Sequence, residues 1–565
     1  LVYYGANTDS EWYVSASPDK PTDTKTLIYT YNPTYDDAGS QLNESSGQFA
    51  LMYTAIENAN LAIAGLRKYG SVETDAGMRY LLGESLVLRA FFYFDLIKAW
   101  GDVPMRFQPI GETGDVNKPR SDRDEIYKQI IADLEEAVDY VDWPGEGVRT
   151  GTVTRVNKAF AYGLLARVCL SAAGYAQRPD EGRIGTGDIG SNRRSKLVEA
   201  GQEWGDNILY TKALDACKAV IAKENVCVKL EGSFEEIWRD MMKRQVSAGG
   251  ETLFVIPFAD NRGQWMNNYA IRHATADKYC GKAGAGGTIG PVPTLFYEYD
   301  KADRRRDVTC IPYRWNGGKQ ELENVQKWYC GKYRYEWMND VISGNDCGIK
   351  PILMRYADVL LMAAEAANEL NDLPYAKEQL RKVRFRAFKS NEAVDKYLEG
   401  IGSKDAMFKA IYRERMLEFS CEQIRKQDLI RWGLLKKSLD DVKGKMKAML
   451  DHTTYTSELT DKTYDFSLVG TKVYYKYDAD GETIQLHGLD FGEAGEPDGE
   501  GWTLYTSKKT DGTLEEEYIK NGTTSTGRID MIYQYDPDVH MFWPIFKQSI
   551  TTNSLLANDY GYPVR

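Results

Sequence analysis

The chain has 565 residues, of which 42% are hydrophobic, 12% aromatic and 27% charged. That composition supplies a core and excludes a disordered polymer. Its 83 acidic against 71 basic side chains give a formal charge of −12, which excludes a surface generally steered toward nucleic acid. At roughly 150 residues per domain the length suggests three or four domains, unless a repeat array counts as one. No stretch reaches the ~18 uninterrupted apolar residues of a membrane-spanning helix. The richest, Ser85 to Trp100, is broken by Arg89, Asp95 and Lys98. Leu1 is not an initiator Met and opens no basic-then-apolar leader, so we expect the chain to begin inside a longer precursor.

Residues 1–45 are rich in Tyr, Thr, Asp, Ser and Pro without sustained periodicity and read as ordered loop with short elements. From Phe49 to Leu66, Leu51, Met52, Ala55, Ile56, Ala59 and Ile63 fall at three- and four-residue steps, which predicts a helix. Tyr80 to Trp100 is a second helix, stopped by Gly101 and Pro104. Asp124 to Val141 is amphipathic, Asn157 to Ala173 is Ala- and Leu-rich and suited to close helix packing, and Lys212 to Lys223 adds another. From about 225 to 350 the pattern changes to Gly-rich loops with many Trp and Tyr around one strand-like run, Glu251 to Phe258. Helices return at Met354 to Leu370, Pro374 to Phe388, Lys404 to Phe419 and Glu422 to Trp432, in pairs with short connections.

Thr453 to Asp530 is polar, rich in Gly, Asp and Tyr, and not helical. Lys472 to Leu486 alternates around Asp480-Gly481, and a second Asp-Gly stands at 511–512, so hairpins are expected. The expected fold is mostly α. One domain holds helical pairs at about 49–224 and 354–450, a loop-rich part at about 225–350 plus 1–45, a β-rich insertion at about 453–530 and an extended tail at 531–565. The pair spacing is close to that of tetratricopeptide-like hairpins, without their consensus residues.

Four histidines, His273, His452, His487 and His540, show no metal-ligand spacing. No nucleophile elbow or kinase signature occurs, no cofactor motif is found, and a bound metal is left unassigned. Lys282 to Gly290 lacks the Lys-Ser/Thr of a phosphate loop and reads as a mobile loop. Asp478 to Glu482 has the wrong spacing for a calcium loop and reads as a hairpin turn. Cys280, Cys310, Cys330 and Cys347 are compatible with one or two disulfides or with four free thiols. Lys409 to Trp432 carries Glu414, Glu418, Glu422, Arg425, Asp428 and Arg431 at helical steps. An ion-pair network is favoured there over an acid–base site, which normally draws its groups from several loops.

Trp12, Trp265, Tyr269, Trp315, Trp328 and Trp337 lie in loop sequence beside Asn, Asp and Arg. Aromatic faces flanked by such groups suit a sugar groove, where rings stack on pyranose faces and polar groups bond hydroxyls. For glycan, Trp12, Trp265, Tyr269 and Trp315 are the stacking candidates, with Asp9, Asn267 and Arg272 for hydroxyls. For peptide, Asn267 and Asn268 would meet backbone amides.

Eight segments in order resemble the SusD/RagB family of Bacteroidetes outer-membrane nutrient-binding lipoproteins. They are YTAIENAN from Tyr53, GESLVLRAFFYFDLIKAWGDVP from Gly83, PRSDRDEIYKQIIADLEEA from Pro119 and GTVTRVNKAFAYGLLARVCL from Gly151; then PTLFYEYDKADRR from Pro293, MRYADVLLMAAEAANE from Met354, ERMLEFSCEQIRKQDLIRWG from Glu414, and Phe542 to Tyr562. The resemblance implies four tetratricopeptide-like helix pairs with a loop-rich, ligand-facing half. It also implies a cell-surface lid over a SusC-like TonB-dependent transporter, binding oligosaccharide or oligopeptide without catalysis, beside other surface lipoproteins. The lipid anchor is expected upstream of Leu1. The insertion at 453–530 has no family counterpart, and the family motifs transfer no ligand contact to a position here. A glycoside hydrolase and a pure interaction scaffold are the readings of other classes.

Overall fold

The computed structural model describes residues 4–35, 47–114, 116–205, 207–508, 512–519 and 526–565. Eight of its long helices are α1 (Gln48–Tyr69), α2 (Ala76–Trp100), α3 (Arg123–Ala137), α4 (Lys158–Ala173), α5 (Ile208–Ile221), α6 (Tyr356–Glu369), α7 (Leu373–Phe388) and α8 (Lys404–Phe419), and Leu435–Leu450 adds another. Side-chain caps start several of them: Asp75 accepts from Gly77 and Met78 N–H, Asn157 from Phe160, Asp372 from Tyr375 and Ser403 from Ala406. Each cap satisfies amides that the first helical turn leaves open.

Each helix packs on the next in chain order, so α1–α2, α3–α4, α5–α6 and α7–α8 form four tetratricopeptide-like hairpins in one superhelix. Helices α2, α4 and α6 bury residues nearly all round. They are mostly apolar because neighbours cover both sides, and buried charges on them such as Arg89 and Asp358 are ion-paired. Gly101 ends α2 at φ 69°, and a Cβ there would meet the Tyr560 hydroxyl at 2.4 Å. The C-terminal tail closes on that point, with Tyr560 Oη donating to Asp102 and Trp100 Nε1 donating to the Pro544 carbonyl.

The chain between α5 and α6 forms the loop-rich half. Thr252–Val255 pairs antiparallel with Ile352–Arg355, bringing this half back onto the helices. Glu11–Tyr13 pairs with Ile289–Pro291. The Gly-rich run before that pairing is therefore not a free loop. His273 N–H donates to Ala285 and Gly287 N–H to Ala270, and a Cβ on Gly290 would lie 1.9 Å from the Trp328 carbonyl oxygen. Its glycines allow backbones to touch. All eight cysteines are free and buried, so the open disulfide question resolves to thiols in this structure.

The charged segment 409–432 is broken between its two expected helices. Helix α8 ends at Phe419, Cys421 and Gln423 take positive φ, and a short helix resumes at Arg425–Arg431. The break turns Glu422 toward Lys332 and Arg355. Its charges form the network that the spacing favours. Asp303, Glu251, Glu414, Glu418 and Glu422 interlock with Arg305, Arg355, Arg384, Arg386 and Lys332, five anions with five cations. Burial alone would raise the Glu418 carboxyl, yet Arg386, Arg355 and Arg305 hold it well below the usual carboxylate range.

The insertion is a set of short hairpins. Thr454–Thr456 pairs with Thr463–Asp465. Strand β3 (Tyr474–Tyr477) pairs with β4 (Ile484–His487) and β5 (Thr503–Leu504). Asp480 accepts from Glu482 and Thr483 N–H and so builds a turn. Ser507–Lys508 pairs with Leu514–Glu515 around the second Asp-Gly, whose Asp511 lies outside the described residues. Val473, Tyr518 and Ile519 join the main core, which welds the insertion to the body.

Candidate ligand-binding site

The loop-rich half has only short helices, and aromatics on them, at Phe234–Met242 and Trp265–Tyr269, build much of its core. Trp265 stacks on Tyr269 at 5.3 Å, and Tyr269 meets Tyr333 at 5.6 Å. This cluster also takes in Trp238 and Trp337. Trp265 is 8% exposed, Tyr269 0%, Trp12 1% and Trp315 2%. The expectation that these four rings stack on ligand is corrected by this packing, because neighbours cover their faces. Arg528 lies 3.9 Å over Trp12, and Trp315 sits among His273, Tyr279 and Tyr313. Asp9 is likewise structural. It is buried in a double contact with Arg425 and accepts from Tyr412 Oη at 2.6 Å.

Of the remaining candidates, Asn267, Asn268 and Arg272 are half-buried. The Asn267 and Asn268 carbonyls are engaged by Thr288. Arg272 holds the Gly286 carbonyl at 3.4 Å. The Arg272 carbonyl accepts from Trp315 N–H, which places this arginine beside the hairpin described next.

Strands β1 (Tyr313–Asn316) and β2 (Lys319–Leu322) form a tight antiparallel hairpin. Alternation turns Tyr313, Trp315, Gln320 and Leu322 to one face and Arg314, Asn316, Lys319 and Glu321 to the other. On the polar face Arg314 bonds Glu321 at 3.1 Å and Glu323 at 2.9 Å, and Asn316 donates to Glu321 at 2.9 Å. Arg314 and Glu321 keep 35% and 39% of their side chains exposed. The array is held in place and open.

The insertion supplies aromatic rings at its edge. Gln320 N–H donates to the Glu482 carbonyl at 2.8 Å, Ile484 N–H to Gln320 Oε1 at 3.1 Å, and Tyr477 Oη to the Gln320 carbonyl at 3.0 Å. Lys278 pairs with Glu482 across the same seam. Lys319 stands 5.5 Å over the Tyr477 ring, and Tyr475 meets Tyr477 edge-on at 6.1 Å. Tyr477 is 38% exposed and Tyr475 half-buried. Guanidinium, carboxylate and amide thus lie beside two reachable tyrosines on a shallow shelf. Such a surface can grip a polyhydroxylated chain by paired hydrogen bonds and ring contact.

Sequence reading missed this shelf. Its signal was present in the alternation of Arg314 with Asn316 and of Tyr475 with Tyr477, but nothing local shows that two hairpins 160 residues apart join edge to edge. Among the described residues no cluster of His, Cys, Asp and Glu is arranged to hold a metal ion. No helix among them is long and apolar enough to cross a membrane.

Two family models match the chain. One, described as SusD family, covers residues 307–562; the other, described as starch-binding associating with outer membrane, covers residues 4–170. SusD-like protein P25 of Formosa agariphila is 23% identical over 444 residues, 73% of this chain and 75% of that protein. A SusD homolog from Bacteroides thetaiotaomicron superposes with a TM-score of 0.62 at 20% identity, covering 79% of this chain and 84% of that one. Surface glycan-binding protein A of the same species, solved in complex with laminarihexaose, gives a TM-score of 0.56 at 18% identity, covering 77% and 85%. These likenesses match the fold derived above.

Proposed function

The chain belongs to the SusD family, and from that premise we propose that it binds oligosaccharide on the shelf of Arg314, Asn316, Glu321, Tyr475 and Tyr477 without altering it. The observation that carries this reading is the fixed polar array beside exposed tyrosines. A relative of the same fold is solved with a bound laminarihexaose. Arg272, whose carbonyl accepts from Trp315 N–H, would add a ligand contact at the margin of the shelf. The protein would sit on the outer membrane by a lipid anchor and serve as the lid of a SusC-like TonB-dependent transporter. Ligand would be trapped as the lid closes.

The mechanism asks no chemistry of the side chains. A pre-ordered array loses little conformational entropy on binding, and each ring covers an apolar sugar face that water would otherwise meet. Calorimetry with a glycan series and with peptide mixtures tests this. Combined Tyr475→Ala and Tyr477→Ala substitutions are expected to weaken the bound glycan at least about tenfold, with Glu321→Gln giving a comparable loss. Binding of peptides alone, or glycan affinity unchanged in both variants, would refute the reading. Release of shortened product on prolonged incubation would point to a hydrolase instead.

A further inference from the structure

A separate recess lies on the last helical hairpin. Helices α7 and α8, the intervening Asn391–Glu399 helix, the Asp300–Asp303 loop and the Thr460–Asp461 turn of the insertion enclose a cleft of about 590 Å³. Its floor carries two arginines whose hydrogen-bonding capacity is incompletely used. Arg384 is 5% exposed, with its guanidinium 3.5 Å from the Tyr397 ring centroid and 4.9 Å from Phe388. Only its Nη1 has a partner, Glu414 at 2.6 Å; its Nε is buried and unpaired. Arg413 binds the Glu298 carbonyl through Nη2, and its buried Nε makes no hydrogen bond. Exposed Lys396 lines the mouth.

Apart from exposed Asp300 at the rim, the acids lining the cleft are already committed. Asp303 is held by Arg305, Asp461 by Lys409, and Glu414 is shared between Arg305 and Arg384. Behind Arg413, Glu298 faces Arg413, Lys445 and Lys462, and Asp441 also pairs with Lys445. Burial, with too little compensating negative charge, brings the Lys462 ammonium down to about 7. The cleft therefore has guanidinium N–H groups without a hydrogen-bond partner, and its lining carries Arg384, Lys396, Lys409 and Arg413 against Asp300, Asp303 and Asp461. A buried, unpaired donor is costly, and an incoming anion would satisfy it.

We propose that this cleft is a second binding site, for the anionic group of an acidic saccharide, a uronate carboxylate or a sulfate ester. The saccharide part rests on the reading above; the anion part stands on the cleft alone. Arg384 and Arg413 bond the oxygens, Lys396 adds long-range attraction, and Tyr397 holds Arg384 in position. The site lies on helices rather than on the shelf, so one chain would read backbone sugar and charged substituent with separate elements.

The test is calorimetry on the full chain with a uronic-acid trisaccharide, a sulfated trisaccharide, a neutral trisaccharide and inorganic sulfate, at low and high salt. At least one acidic saccharide should bind about tenfold tighter than the neutral one at low salt, with the difference shrinking as salt rises. Arg413→Gln should weaken it about tenfold. Lys396→Glu, at an exposed position that leaves the fold intact, should weaken it about fivefold through charge reversal. Both should leave neutral affinity unchanged, and the Tyr475/Tyr477 double substitution should leave the acidic increment in place. Sulfate binding sensitive to Lys396→Glu, with no saccharide bound, would keep the anion site while sinking the shelf. Equal affinity for acidic and neutral saccharides, or insensitivity to both cleft substitutions, overturns the proposal.

Discussion

Replacing Glu418 by Gln probes the ion network that joins the last helical hairpin to the loop-rich half. The side chain is wholly buried; Oε1 accepts from Arg355 at 2.9 Å and also from Arg386, and Oε2 accepts from Arg305 at 2.9 Å. Gln keeps the shape but removes the charge and turns an amide NH₂ toward guanidinium donors. The balance of five anions against five cations becomes four against five in a region closed to water. Removing one partner of a buried pair typically costs about 3–5 kcal/mol. A single pair at 4 Å is worth about 4 kcal/mol at an effective dielectric of 20, the same scale. Urea denaturation of both proteins at pH 7 should show that loss as a lower midpoint at similar slope. The pH dependence adds an independent check. Glu418 titrates below its unfolded value in the native protein, so its contribution is full above about 4.5 and is lost as pH falls below that. The gap between wild type and Glu418→Gln must therefore narrow from pH 6 to pH 3. A loss under about 1 kcal/mol, or a gap unchanged on acidification, would refute the argument.

Two further outcomes follow from buried groups with poor compensation, and a third from close backbone packing. Burial pushes the Glu11 carboxyl up to about 8, and both of its oxygens lack a close hydrogen-bond partner. The native state therefore holds a proton that the unfolded chain releases from about pH 4.5 upward. Stability should fall between pH 4.5 and 8 by this term, and Glu11→Gln should flatten that part of the curve in denaturation midpoints. Lys426 is buried over the Tyr4 and Tyr31 rings at 4.1 and 4.5 Å, and burial brings its ammonium down to about 7. Its charge costs stability increasingly as pH falls from about 10.5 to 7, so Lys426→Met should stabilise by about 1 kcal/mol or more at pH 6 and by less at pH 10. Gly290→Ala would set a methyl against the Trp328 carbonyl oxygen; a loss of about 1–3 kcal/mol in calorimetric or chemical unfolding is expected.

The helical half was readable because each helix must bury a stripe against its neighbours. Residues such as Ile126, Ile130 and Leu134 repeat at the helical period, and all are buried as that repeat demands. The loop-rich half offers no comparable period. A tryptophan between Gly and Asn can cover a core or face a ligand, and its sequence neighbourhood is the same in both cases. Trp265 and Trp315 took the first course, packed into clusters with Tyr269 and Tyr333 and with Ile271, Ile311 and Tyr329 respectively. The break after Phe419 was legible as the end of one helix and the start of the next, but the partners of Glu422 there, Lys332 and Arg355, were not.

Chain composition and periodicity by themselves determined a mostly helical repeat scaffold with an irregular middle and a β-rich insertion. Those properties follow from short-range geometry and from the need to cover apolar stripes. The tertiary structure alone decided which aromatic rings stay wet, which carboxylates are neutralised by arginine, and which hairpins join. The reason is range: exposure and electrostatic pairing depend on segments such as 313–322 and 474–487 meeting in space, and local propensity carries no record of that meeting.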